Sequence, residues 1–159
     1  AVLLKIVEQE GPVHEDELAV RVRALWGLGR TGSRIQDAVA RAVHSLLVTS
    51  KCTRVDGFVS VPQAAVPVRN RANVASASLR RPEMLPPAEV RAAILKLVDA
   101  HHGATRQETP AAVARMFGFR STSGQLRALI DDEVGRLLQQ GTLVEAGGML
   151  RRAEPNSSV

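Results

Sequence analysis

Residues Leu28 to Ile35, LGRTGSRI, hold two glycines, two arginines and two hydroxyl side chains in eight positions, the composition of a loop that wraps a phosphate. A P-loop needs its glycine-rich turn to follow a buried strand and to end in Gly-Lys-Ser/Thr, because lysine reaches the phosphates and the hydroxyl binds magnesium. Here a helical pattern comes before the loop, and the loop has no lysine. A dinucleotide fingerprint fails for the same reason, since no strand-turn-helix unit surrounds the glycines. What remains are Arg30 and Arg34, cations placed where backbone N–H groups at a helix start can meet a phosphate oxygen. A charged, solvated turn would use the same residues.

Other chemistry is thinly supplied. Cys52 is the single cysteine, so no internal disulfide is available and a reducing, cytosolic setting is expected. It lacks the basic and acidic neighbours of a nucleophile and reads as a structural thiol. His101 and His102 end a helical pattern, where positive charge suits the dipole, and no cluster of cysteine and histidine suggests a metal site. No catalytic constellation is visible, so no enzymatic activity, metal or cofactor is expected of these residues.

Lysine and arginine exceed the acids by 21 to 16, a net charge of +5. That permits a polyanionic partner. Residues 1–66 carry 8 basic and 7 acidic groups, residues 67–84 carry 4 and 1, and residues 85–159 carry 9 and 8. Within the first section the acids come early, and from Leu18 to Val66 seven basic residues face only Asp37 and Asp56. Aromatics make up 3% with no tyrosine, too few to build stacking platforms for single strands or RNA bases. No apolar run approaches the roughly 20 residues needed to cross a bilayer, so no membrane partner is expected.

The elements that must position these residues repeat. LLKIVEQEG from Leu3 and ILKLVDAHHG from Ile94 share apolar pairs, a lysine, an acid and a glycine, and WGLGR (Trp26–Arg30) returns as FGFR (Phe117–Arg120). The period is about 91 residues. First helices are predicted over Val2 to Glu10 and Pro87 to His102, with Pro87 suited to a first turn. Second helices are predicted over His14 to Trp26, with Glu15, Asp16 and Glu17 at the positive dipole end, and over Gln107 to Phe117. Long third helices carry the apolar stripes Ile35, Val39, Ala42, Val43, Leu46, Leu47 and Leu126, Leu129, Ile130, Val134, Leu137, Leu138. Asp56-Gly57 and Gly147-Gly148 then suit two-residue hairpin turns between short strands.

Three helices followed by a hairpin is the order of a winged helix. The expected fold is therefore mainly α with small β-hairpin wings: two tandem winged-helix modules of the helix-turn-helix type. The first is expected over 1–66, a basic linker over 67–84, the second module over 85–153 and a disordered tail over 154–159. The second copy opens with a turn, LPPAEV, that the first lacks, so the sequence is expected to start inside a helix of a longer protein.

In this frame LGRTGSRI is the turn between second and third helices, with Ser33 expected as its helix cap. Arg34, Asp37, Arg41 and His44, spaced 3, 4 and 3, share one face of the third helix and form a groove-facing surface. Lys51, Arg54 on the wing, and Arg69 and Arg71 in the linker are further candidate phosphate contacts, although for the linker arginines solvation of a Pro- and Ser-containing segment is the favoured reading. Arg120 and Arg127 are the second module's candidates. Its third helix also carries Asp131 and Asp132, with Glu133 nearby, and carboxylates there repel phosphate.

The runs IVEQEGPVHEDELAVRV, GRTGSRIQDAV, VPVRNR, PAEVRAAILKLV and FGFRSTSGQL, in this order, resemble a bacterial domain-of-unknown-function family. That family sits at the C-terminus of very large superfamily-1 helicase-like proteins, commonly after a Vsr-like restriction-endonuclease domain. The resemblance implies a terminal module of a cytoplasmic helicase-nuclease acting in restriction or antiviral defence, with helicase and nuclease domains upstream as partners. It supplies no catalytic residue here. The expected function is binding of duplex or branched DNA, and the competing expectation is a protein-interaction module that docks on the parent enzyme or forms a homo-oligomer.

Overall fold

The computed structural model describes residues 2–155. It is mainly helical, with one small antiparallel sheet in each of two compact units. One unit comprises the residues up to Pro67 together with Glu83–Pro86, and the other comprises Val68–Pro82 and the residues from Pro87 onward.

In the first unit α1 (Val2–Glu10) buries Leu3, Ile6 and Val7 on one face. Strand β1 (Val13–His14) leads into α2 (Glu15–Leu25). His14 caps α2, its Nδ1 accepting the Asp16 N–H at 3.2 Å, and the three acids that follow lie at the positive end of the helix dipole. Next come α3 (Ser33–Val48) and the hairpin β2 (Thr53–Val55) to β3 (Phe58–Ser60). The hairpin turns at Asp56 and Gly57, whose φ angles of 50° and 80° are those of a type I′ turn. The Asp-Gly pair is what lets the strands close in two residues. From α3, Val39 and Val43 enter the core with Leu18, Val22 and Val59, while Ile35, Ala42, Leu46 and Leu47 pack half-buried around it.

The second unit repeats the order: α4 (Pro87–Ala100), β4 (Ala104–Thr105), α5 (Thr109–Met116), α6 (Gly124–Gln139), β5 (Leu143–Ala146) and β6 (Met149–Arg152). Gly147 and Gly148, at φ 59° and 75°, make its hairpin turn. Ile94, Phe117, Leu126, Ile130, Leu143 and Leu150 are fully buried. Each such residue contributes on the order of 1.5–3 kcal/mol by leaving water.

Both sheets have a third strand absent from the sequence-based expectation. The orders are β1-β3-β2 and β4-β6-β5, all antiparallel, with Val13 opposite Val59 and Ala104 opposite Leu150. These added strands are two residues long, too short for any alternation to register.

Three expectations are corrected. Ser33 does not cap α3: it is the first helical residue, the cap position is Gly32, and no side chain caps the helix. The second unit reverses the order, TSG for TGS, so that Ser123 is the cap and accepts the Leu126 N–H at 3.1 Å. Helix α4 stops at Ala100 because His102 and Gly103 turn to φ 50° and 133°. Finally, the segment Val68–Pro82 is not a free linker but part of the second unit. The expected tail lies, from residue 156 on, outside the described residues.

Candidate nucleic-acid interface

The sequence LGRTGSRI emerges as the connection from α2 to α3, with Leu28 to Arg30 exposed. Gly27, at φ 65°, reverses the chain after Trp26, which ends α2. With glycine at the cap, the Ser33 and Arg34 amides have no acceptor among the described residues. Orphan N–H groups and the positive end of a 16-residue helix dipole thus lie exposed between Arg30 and Arg34.

Arg34, Asp37, Arg41 and His44 are all exposed, on the side of α3 away from Val39 and Val43. Arg30, Arg34, Arg41 and Lys51 have no ion-pair partner among the described residues. Their charges are available to a phosphate, at no cost of breaking an internal pair. Arg54 is different: its guanidinium donates to Glu15 Oε1 at 2.9 Å.

The four α3 positions have different counterparts one period on, Gln125, Ala128, Asp132 and Gly135. The second unit therefore presents no equivalent cationic face. Asp132 is exposed and Asp131 half-buried. Glu133, expected near that surface, is instead 4% exposed and accepts from Arg91 at 2.9 Å. Arg120 and Arg127 are exposed, and Arg127 borders an open groove of about 890 Å³ with His101, Thr105, Glu108 and Arg115.

Arg69 and Arg71 are the two candidates that the geometry removes from a phosphate-binding role. Arg71 is 5% exposed and grips Glu89 with both terminal nitrogens, at 2.8 and 2.7 Å. Its Nη1 also donates to the Arg69 carbonyl at 2.9 Å, and its guanidinium lies 5.5 Å from the Phe117 ring centre. The Arg69 N–H donates to Glu89 Oε1 at 2.7 Å, and its Nε lies 3.6 Å from Glu89 Oε2. The cause is Glu89, a fully buried carboxylate in the first turn of α4. A buried charge must be paired, and these arginines pair it. Sequence reasoning missed Glu89, which looks like an ordinary first-turn acid suited to the helix dipole.

Cys52 is buried, and burial, with the Glu8 carboxylate adding to it, holds its thiol above the usual range. A protonated core thiol is a poor nucleophile. Among the described residues no group of three His, Cys, Asp or Glu side chains is placed to hold a metal ion, and no helix is long and apolar enough to cross a membrane.

A family model described as "Protein of unknown function (DUF3320)" matches residues 1–37, from α1 through the LGRTGSRI connection into the first turn of α3. No curated protein and no solved structure matches the chain.

Proposed function

We propose that both units are winged helices and that the first binds duplex or branched DNA, chiefly through its phosphates and without chemistry of its own. The order of helix, strand, helix, helix and hairpin in each unit supports the fold reading. One observation carries the functional reading: the uncapped start of α3 lies between Arg30 and Arg34, and Arg41 and His44 extend the same exposed face without internal partners. Backbone amides at a helix start and flanking arginines are the usual grip on a phosphate. Lys51, exposed in the connection from α3 to β2, extends the contact.

In this reading the module positions linked helicase and nuclease domains of a longer bacterial, cytoplasmic protein that acts against foreign DNA. The second unit, with Asp131 and Asp132 on its long helix, faces protein rather than phosphate. Titration of the chain with a DNA duplex across salt concentrations tests the proposal, because phosphate contacts make affinity fall steeply as salt rises. Undetectable binding at about 50 mM salt, where the electrostatic contribution is large, overturns it.

A further inference from the structure

Arg21 on α2 and Ala112 on α5 hold matching places one period apart. Arg21 sits between two carboxylates, its Nε 3.1 Å from Glu10 Oε2 and its Nη2 3.5 Å from Glu17 Oε1. The guanidinium therefore bridges the end of α1 to the start of α2. In the second unit an alanine stands there, and α4 and α5 border an open groove of about 890 Å³. The first-unit groove that shares matching places, Asp16, Val20 and Gln36 for Gln107, Ala111 and Arg127, holds about 410 Å³. Every residue lining the larger groove lies within 97–149, and the side chain that distinguishes the two units at its centre is that of residue 112.

The charges differ as well. Glu10, Ala24 and Gln36 are replaced by His101, Arg115 and Arg127, all exposed and without an ion-pair partner among the described residues. Glu108, the one acid lining the groove, accepts from the Thr105 hydroxyl at 2.6 Å, and its N–H donates back to that oxygen at 3.3 Å, which ties it to the start of α5. Asp131 and Asp132 lie outside the groove. Half-buried Leu97, Ala112 and Met149 supply the apolar part of its wall. A recess that is apolar within and arginine-bearing at its edge matches an acidic peptide, whose aliphatic side chain leaves water while its carboxylates meet guanidinium groups.

We propose that this groove binds an acidic, leucine-bearing segment of a protein partner. Its carboxylates pair with Arg115 and Arg127, and its aliphatic side chain enters beside Leu97, Ala112 and Met149. The inference rests on the second unit being the one that faces protein, and it gives that partner a chemistry.

A fluorescein-labelled DELLDEE peptide, titrated by anisotropy at about 50 mM salt, where charge pairing is weakly screened, tests this. The full chain carries Arg34→Ala and Arg41→Ala, so that the cations of α3 do not compete for the probe. Saturable binding is expected. The amide analogue NQLLNQQ should bind at least about tenfold more weakly, as should DELLDEE to a chain with Arg115→Ala and Arg127→Ala added. Ala112→Leu, which narrows the recess without changing its charge, should weaken binding to a similar degree with the thermal midpoint retained, and so separates the groove from general attraction of charge. Absence of saturable binding by about 1 mM peptide, the weak edge of specific recognition, overturns the proposal. Equal binding of NQLLNQQ, or binding that survives loss of both arginines, also overturns it. So does displacement of the peptide by an unlabelled duplex, which would make the groove a phosphate site. A chain with its α3 arginines intact that takes the peptide but no duplex upholds this assignment while the DNA reading falls, so the two fail separately.

Discussion

Arg54 and Glu15 are joined at 2.9 Å across the hairpin of the first unit, and one period on the same two places hold Glu145 and Arg106, joined at 2.8 Å with the charges exchanged. The backbone beneath is the same in both, with the Glu15 N–H donating to the Gly57 carbonyl and the Arg106 N–H to the Gly148 carbonyl. The geometry is therefore set by the helix start meeting the hairpin turn, and either charge order fits it. All four side chains are a third or more exposed. Solvent screening limits each pair to about 0.2–1 kcal/mol. Arg54→Glu alone should destabilise by a comparable amount, through like charges, and Arg54→Glu with Glu15→Arg should restore the loss. A double-mutant cycle by urea denaturation checks this, and the coupling should fade at high salt.

Glu89 is expected to respond far more strongly. Glu89→Gln leaves the Arg71 guanidinium buried without its counter-charge, and the expected loss is on the order of 3–5 kcal/mol. Denaturant midpoints followed by circular dichroism measure it. An effect under about 1 kcal/mol would mean that the pair contributes no more than an exposed one.

Gly118 and Gly27 share a left-handed backbone but not an environment, so their alanine variants separate two costs. Gly27→Ala meets only the conformational penalty, about 1–2 kcal/mol. Gly118→Ala adds displacement of Asn70 and Ala72, a further 1–3 kcal/mol. Equal losses in thermal melts of the two variants would contradict the packing of Asn70 and Ala72 against Gly118.

Much of this organisation is legible in the sequence because it rests on local chemistry. Asp56-Gly57 and Gly147-Gly148 announce their hairpins because few other residue pairs accept positive φ twice in succession. Pro87 opens α4, and the apolar stripes of α3 and α6 mark the faces that become buried. What is not legible depends on partners distant along the chain. Arg71 and Glu89 show no periodicity that would join them, and a charged segment holding proline and serine reads as solvated until a buried carboxylate is known to await it. The cap of α3 is not legible either, because TGS and TSG share a composition, whereas capping depends on order. Of the candidate site, Arg34 and Arg41 could be named from helical spacing and Arg30 from the composition of its loop, but the pairing that sets Arg54, Arg69 and Arg71 apart could not.

Asp99 offers a check by pH. Hydrogen bonding from Arg152, at 2.9 and 3.2 Å, lowers its pKa below the ordinary carboxylate value, with the arginine's charge acting in the same direction and partial desolvation against it. A depressed folded-state pKa means that this contribution is present above the unfolded-state value and is lost as pH falls through the folded one. NMR titration should place the Asp99 carboxyl below the ordinary carboxylate value. Arg152→Ala should raise it toward the ordinary value, and no change would show that the bond does not persist in solution.

The charge contrast between α3 and α6 yields the sharpest test of DNA binding. Arg34 and Arg41 face outward on α3, whereas Gln125 and Asp132 stand at the matching places on α6. If phosphates are gripped on the first unit, each arginine removed should make the dependence of log affinity on log salt shallower by about 1. Arg34→Ala with Arg41→Ala should therefore flatten the slope by about 2 and weaken binding on every sequence alike. Asp132→Arg, on the helix that in this reading faces protein, should leave the slope unchanged. Fluorescence anisotropy with a labelled duplex at several salt concentrations measures both variants. A double variant with unchanged slope would place the contacts elsewhere than α3, and the Arg120 and Arg127 surface of the second unit would then be the next to remove.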